Sequence, residues 1–323
     1  MPAPSDAELP HIGYLGPAGT FSEEALLRSA REDAVQPVAL ATIYETVLAV
    51  RRGKVRWAVV PIENSLEGSV TVTLDLLAET GMQAEGERLP ATADEHGDLE
   101  IVGEALLAVR HSLIAAAPLQ LAEIDTVLTH PQVPGQCTRL LRGELSRARV
   151  LPASSTAEAV RLVVSERGPG SAAIGTRLAA EIYGGTVIRE GVQDRDDNVT
   201  RFVWLARTGE AAESPPLRTD EEPGGPGDGG GRGWKTSVVF WGAGAERPGW
   251  LVRCLDEFAR RAINLTKIES RPQRARLGHY VFFVDLQGST EDPRVAEALA
   301  GMREVCEQVR ILGSYRAGGG AQP

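Results

Sequence analysis

The chain has 323 residues, 34 Lys plus Arg against 44 Asp plus Glu, a formal net charge of −10 and 42% hydrophobic residues. At about 150 residues per domain this predicts two domains of ordinary soluble composition. The acidic balance supplies no basic stripe for a nucleic-acid partner, and no apolar run reaches the roughly 20 residues of a membrane-spanning helix. The opening MPAPSDAELP has neither a basic patch nor an apolar stretch, so no secretory signal is expected. Three widely spaced cysteines, Cys137, Cys254 and Cys306, argue against a disulfide framework or a zinc site. They read as small buried hydrophobes in a reducing cytoplasm.

From the N-terminus, His11–Leu15 predicts a short strand that ends at Gly16. Phe21–Ala30 has helical spacing, and Ala39–Val50 predicts a second helix. Trp57–Ile62 is the continuous apolar run of a buried parallel strand, followed by a helix over Val70–Glu79. Residues 83–99 are polar and predict a surface excursion. Glu100–Val109, Leu113–Ala116, Thr126–His130, Arg149–Pro152 and Ala172–Ile174 follow as apolar strand segments. Helices are predicted at Pro134–Arg142, Thr156–Val164 and Thr176–Tyr183, and this alternation indicates an α/β fold. Periodicity does not choose between one sheet and two lobes.

Residues 209–233 hold eight Gly and four Pro with no aliphatic pattern, which predicts a flexible linker. Beyond it the order is strand Thr236–Trp241, a helix opened by Pro248, strands Asn264–Ser270 and His279–Leu286, helix Asp292–Cys306 and strand Val309–Leu312. That βαββαβ order is ferredoxin-like, a shape that by itself decides no function.

Several segments carry chemistry. Gly13–Glu24 runs from strand through a glycine-rich turn into a helix whose start, Thr20 with Glu23, fits a capping box. Such an N-terminus suits an anion, although a plain turn and cap has the same pattern. Glu63, Asn64 and Ser65 close a buried strand at its carboxyl end, where open α/β sheets bind ligands. His130 also ends an apolar strand, as an acid–base candidate or a structural histidine. In Asn198–Leu205 the strand period puts Thr200, Phe202 and Trp204 on one face and Arg201 on the other. Thr200 and Arg201 therefore share a ligand only if the backbone bends.

In order along the chain, YLGPAGTFSEEA (14–25), VVPIENSLEGSV (59–70), HPQ with QC (130–137), STAEAV (155–160), AAIGTRLAAEIYG (172–184) and NVTRF (198–202) resemble prephenate dehydratase, a carbon–oxygen lyase of phenylalanine biosynthesis. PGWLV (248–252) and INLTKIESRP (263–272) resemble its ACT regulatory domain. The chain departs from the family at Val133-Pro134-Gly135, at Arg195 where QDN is usual, and at Trp250 where alanine is usual.

The resemblance implies a two-lobed catalytic domain of periplasmic-binding-protein type over 9–208. Lobe one would be 9–80 plus 190–207 and lobe two 100–188. The linker and an ACT domain over 234–316 would follow. It implies prephenate as substrate, phenylpyruvate as product, L-phenylalanine as allosteric effector, a homodimer or homotetramer, and no metal or organic cofactor. It makes Thr200 the catalytic residue, tied to protonating the leaving hydroxyl. Thr20, Asn64, Ser65, Arg201 and Phe202 become substrate-binding expectations, with Arg201 and the Thr20 helix start on the carboxylates. Gly249, Leu251, Asn264 and Leu265 become the effector site. Arogenate dehydratase and a non-catalytic amino-acid sensor are the competing readings. With the two modules taken as independent, a chain ending near Thr208 is expected to stay active and lose its phenylalanine response.

Overall fold

The computed structural model describes residues 9–31, 33–79, 98–166, 168–209, 215–218, 233–242, 247–273 and 278–318. The first elements are β1 (His11–Leu15), α1 (Phe21–Ser29), β2 (Gln36–Leu40), α2 (Ile43–Arg51), β3 (Trp57–Asn64), β4 (Gly68–Ser69), α3 (Thr71–Glu79) and β5 (Leu99–Ala108). Next come β6 (Ser112–Ala115), β7 (Thr126–Thr129), β8 (Arg149–Pro152), α4 (Thr156–Ser165), β9 (Ser171–Gly175), α5 (Arg177–Tyr183), β10 (Thr186–Arg189) and β11 (Val199–Arg207). The last group is β12 (Trp234–Trp241), α6 (Trp250–Ala259), β13 (Leu265–Pro272), β14 (Tyr280–Gln287), α7 (Pro293–Val305) and β15 (Gln308–Arg316).

The fold is α/β with mixed sheets. One sheet has the order β2-β1-β3-β11-β5 with β4 on β3, a second β10-β6-β9-β7-β8, and a third β13-β14-β12-β15. The chain leaves the first sheet after β5 and returns to it as β11, between β3 and β5. The expected boundary at residue 100 therefore moves. β5 pairs with β11 from Leu99 to Ala108, so the crossing falls at residues 109–111.

Period-2 alternation sorts the first sheet's side chains into two cores. Trp57, Val59, Phe202 and Trp204 pack with Ile12, Tyr14 and α1 on one face. Ala58, Val60, Val203 and Leu205 face α2 and α3 on the other. That second core also takes Val239, Trp241, Val281, Phe283, Leu312 and Tyr315 from the third sheet. The third sheet's opposite face, with Val238 and Phe240, packs under α6 and α7. The first and third sheets thus share one core, which argues against the independence expected of a chain cut near Thr208.

Four local expectations change. Ala39–Val50 is not one helix, because Gln36–Leu40 pairs in parallel with β1 and Thr42 caps α2 by accepting from the Glu45 N–H at 3.0 Å. Pro134–Arg142 forms a 3-10 turn at Val133–Gly135 and a π-type turn at Leu140–Glu144. Gly135 is a weak helix former in what would be the first turn, and only these two short turns form. The helix predicted to open at Pro248, α6, begins at Trp250 instead, because Gly249 adopts a left-handed φ of 78° at its N-cap. Within the 209–233 stretch, Leu217 bridges to Ala30 and packs against the first core, while Arg31 N–H donates to the Pro216 carbonyl. The 83–97 part of the polar excursion lies outside the described residues.

Candidate active site

β3 and β11 run antiparallel with Thr200 opposite Asn64. The Asn64 amide donates to Thr200 Oγ1 at 2.9 Å and to Asn198 Oδ1 at 2.7 Å. Its own oxygen accepts the Leu66 and Glu67 N–H groups, each at 2.9 Å. All of its polar atoms are therefore engaged and its rotamer is fixed. Because Thr200 Oγ1 accepts that bond, its hydrogen stays free, and it donates to no protein acceptor among the described residues. A hydroxyl that accepts from an amide is polarised toward donation.

The pair continues into a chain of amides. Asn198 donates to Gln136 Oε1 at 3.1 Å, and Gln136 Oε1 also lies 3.1 Å from His111 Nε2. With Gln136 Oε1 as acceptor, His111 carries its proton on Nε2, and its buried Nδ1 has no partner among the described residues. The His111 ring meets Phe21 edge-to-face at 5.4 Å, and its backbone N–H donates to Gln193 Oε1 at 2.9 Å. Burial holds its pKa below the ordinary histidine value, opposed by the Gln136 bond, so the ring is neutral at pH 7. Asp194 fastens the turn that carries Gln136, accepting from Thr138 and Arg139 N–H at 2.7 and 2.9 Å. The site thus gathers Asn64 and Thr200 from the first sheet, Gln136 from the turn after β7, and residues of both crossings between the sheets.

Other expected residues stand elsewhere. Arg201 points to the opposite face of β11, where Glu63, Glu104 and Asp285 surround it; this is a correction to its substrate-binding expectation, and alternation is the reason. Phe202 is buried in the core under α1 and presents no surface to a ligand. Ser65 is spent on the chain itself, donating to the Asp197 carbonyl at 3.1 Å and accepting from Val199 N–H at 3.0 Å. Asn64, expected to bind substrate, spends its amide on Thr200 and Asn198.

The Thr20 helix start is also taken. Thr20 caps α1 by accepting from Glu23 N–H at 3.4 Å and donates to the Leu15 carbonyl at 2.8 Å. The capping box closes one residue early, because the Glu23 carboxylate accepts from Gly19 N–H at 2.5 Å and from Tyr14 Oη at 3.0 Å. A carboxylate of the chain thus occupies the place expected for an external anion. Gly19, at φ 86°, comes so close to α5 that an added Cβ would lie 2.7 Å from the Ala179 Cα. Thr176, the N-cap of α5, donates to the Gly19 carbonyl at 2.5 Å, which ties the first sheet's turn to the second sheet's helix.

His130 Nδ1 accepts from its own turn, at Gln132 N–H, and no bond joins it to Thr200 among the described residues. Cys137 is buried, and burial together with the Asp194 charge pushes its thiol up to about 12, so it is no nucleophile.

In the C-terminal part, Gly249 and Leu251 line a hollow of about 260 Å³ with Trp250, Gly278, Tyr280 and Phe282. The Trp250 indole turns inward, donates to the Val305 carbonyl at 2.9 Å and stands 5.9 Å from the Phe282 ring. Asn264 and Leu265 are not in that hollow. Leu265 pairs with Leu286, four residues from Phe282 and roughly 14 Å along β14. One chain does not bring the four residues expected at the effector site together.

The chain matches the family model for prephenate dehydratase over residues 12–210. It is 38% identical to a prephenate dehydratase of Mycobacterium sp. (strain KMS), across 98% of this chain and 92% of that one. Among solved structures, prephenate dehydratase from Arthrobacter aurescens in complex with L-Phe aligns with a TM-score of 0.76 and 34% identity, covering 95% of this chain and 90% of that one. A protein described as a novel type of quorum quenching acylase aligns with a TM-score of 0.75 and 27% identity, covering 95% and 98%. That second neighbour shows that the fold alone does not fix an activity.

Proposed function

The chain belongs to the prephenate dehydratase family, and we propose that it converts prephenate to phenylpyruvate with loss of water and carbon dioxide, as a cytoplasmic lyase. The carboxylate on the ring leaves as carbon dioxide, its bonding electrons pass through the ring, and the 4-hydroxyl departs with a proton as water. Aromatisation supplies much of the driving force. The protein has to stabilise the departing hydroxyl and hold the ring in the reacting geometry.

The observation that carries this reading is the Asn64–Thr200 pair: an amide donates to a hydroxyl whose own hydrogen remains free. A threonine is a poor acid at pH 7, so Thr200 acts first by hydrogen bonding to the leaving oxygen as charge builds there. Asn198, Gln136 and neutral His111 extend the bonding that fixes this pair. On this reading the first two sheets are the two lobes, and the site lies between them.

The β12–β15 unit with α6 and α7 is read as an ACT domain that binds L-phenylalanine. The solved relative in complex with L-Phe supports that reading. Since Gly249 with Leu251 and Asn264 with Leu265 lie apart in one chain, an effector touching both pairs requires two copies, which favours a homodimer or homotetramer.

The test is purified protein offered prephenate or arogenate, with product aromaticity followed with and without L-phenylalanine. Phenylpyruvate from prephenate, suppressed by phenylalanine, is the expected result. Faster turnover of arogenate would reassign the substrate, and no turnover of either would leave an amino-acid sensor.

A further inference from the structure

Behind Thr200 and Asn64, on the other face of the same two strands, Arg201 lies opposite Glu63. Arg201 meets Glu63 Oε2 at 3.2 Å, Glu104 Oε2 at 3.3 Å and Asp285 Oδ2 at 2.6 Å. These carboxylates come from β3, β5 and β14, so one guanidinium ties the two strands flanking β11 to the third sheet. Side-chain exposures are 8% for Arg201, 1% for Glu104 and 7% for Asp285, which removes most solvent screening.

The carboxylates are themselves held from the third sheet. Lys235 Nζ lies 2.9 and 2.8 Å from the two Glu104 oxygens, and Lys267 Nζ lies 3.1 Å from Glu63 Oε1. Ser237 donates to Asp285 Oδ1 at 2.5 Å. The chain has only three lysines, and two of them are spent here. The first sheet contributes Arg201, Glu63 and Glu104, a sum of −1. The third contributes Lys235, Lys267 and Asp285, a sum of +1. The cluster is neutral only when the two are docked. Burial opposes the Arg201 charge, but Asp285 first, then Tyr315, Glu104 and Glu63, outweigh it, so the guanidinium stays charged.

The backbone makes this cluster matter to Thr200. The β3–β11 register slips between Arg201 and Phe202, since Arg201 faces Glu63 while Phe202 faces Pro61. A proline also brings no ladder donor. The ladder is therefore interrupted directly behind the Asn64–Thr200 pair, and side-chain bonds must set how the end of β3 meets β11.

We propose that Arg201 is a positioning residue for Thr200: its bonds to Glu63, Glu104 and Asp285 hold β3 and β11 so that Asn64 reaches the Thr200 hydroxyl, and the third sheet completes this clamp. The proposal rests on the dehydratase reading. It gives the C-terminal unit a direct part in catalytic geometry, in addition to carrying an effector.

The test compares Asp285→Asn, which keeps shape and removes one charge, with Asp75→Asn, which weakens a different contact between the same units. Asp75 on α3 pairs with Arg271 at 2.9 and 3.0 Å, away from the clamp. With the full chain and prephenate, Asp285→Asn should lower kcat by about 10-fold or more with KM within about two-fold, the signature of lost orientation rather than lost binding. Asp75→Asn should leave kcat within about two-fold at a comparable melting temperature. Arg201→Lys, which keeps the charge and loses the fork, should reproduce the kcat loss and guards against a misfolded Asp285 variant. Unchanged kcat in Asp285→Asn or in Arg201→Lys, or an equal loss in Asp75→Asn, overturns the proposal. Wild-type protein inactive on prephenate would instead overturn the reading beneath it.

Discussion

At the scale of single residues, the site depends on groups kept in one protonation state by their surroundings. His111 is buried, with its folded pKa below the ordinary 6.5. The unfolded chain therefore binds more protons than the folded one as the pH falls. The stability this site contributes is whole above the unfolded value and is lost below it, down toward the folded pKa. Replacement by glutamine removes that titration. Between about pH 7.5 and pH 5.5 the melting temperature of wild type should drop more than that of His111→Gln. Equal drops would mean that another group carries the acid sensitivity. Residue roles were legible only in part from sequence. The strand period already set Thr200 and Arg201 on opposite faces, and the structure adds which face holds the amides. Asn64 and Thr200 are 136 positions apart, so only the resemblance linked them before the fold did. His111 was missed because its partner Gln136 stands 25 positions away and no local pattern marks either.

At the scale of elements, two contacts set where the site forms. The first is the β3 end, where Asn64 closes its own turn and orients Thr200 together. Asn64→Ala should remove both, lowering kcat by about 100-fold, while Ser65→Ala, which loses only loop bonds, should cost much less. Steady-state rates of the two variants against prephenate decide this, and equal losses would assign the effect to the loop rather than to the amide. The second is Gly19, whose positive φ and close approach to Ala179 leave no room for a methyl group. Gly19→Ala should destabilise the protein by about 2 kcal/mol in denaturant titration. Strands with clean apolar runs, such as Trp57–Ile62, were legible from sequence. The turn at Val133–Gly135 was not, because the 3.6-residue pattern continued through Gly135, a weak helix former, where only short turns form. β2 was absorbed into the helix prediction because its last residues, Ala39 and Leu40, suit either period.

At the scale of the whole molecule, the chain is more unified than its composition suggests. A glycine- and proline-rich stretch predicted two free modules. Yet Val203 and Leu205 of the first sheet share a core with Val239, Val281 and Phe283 of the third. Composition marks where a chain lacks apolar residues, but not which outer faces its folded parts press together. A chain ending at Thr208 would expose that shared core and leave Arg201, Glu63 and Glu104 one charge out of balance. It is expected to aggregate or to melt well below the full chain by calorimetry; a truncated chain with wild-type melting and activity would restore the independent modules. The account as a whole rests on Thr200 as the donor to the leaving hydroxyl. Thr200→Val keeps the branched shape and removes only the oxygen. Its kcat for prephenate, measured beside wild type in the full-length protein, should fall by at least about 100-fold with the melting temperature unchanged. Turnover near the wild-type rate would contradict the account.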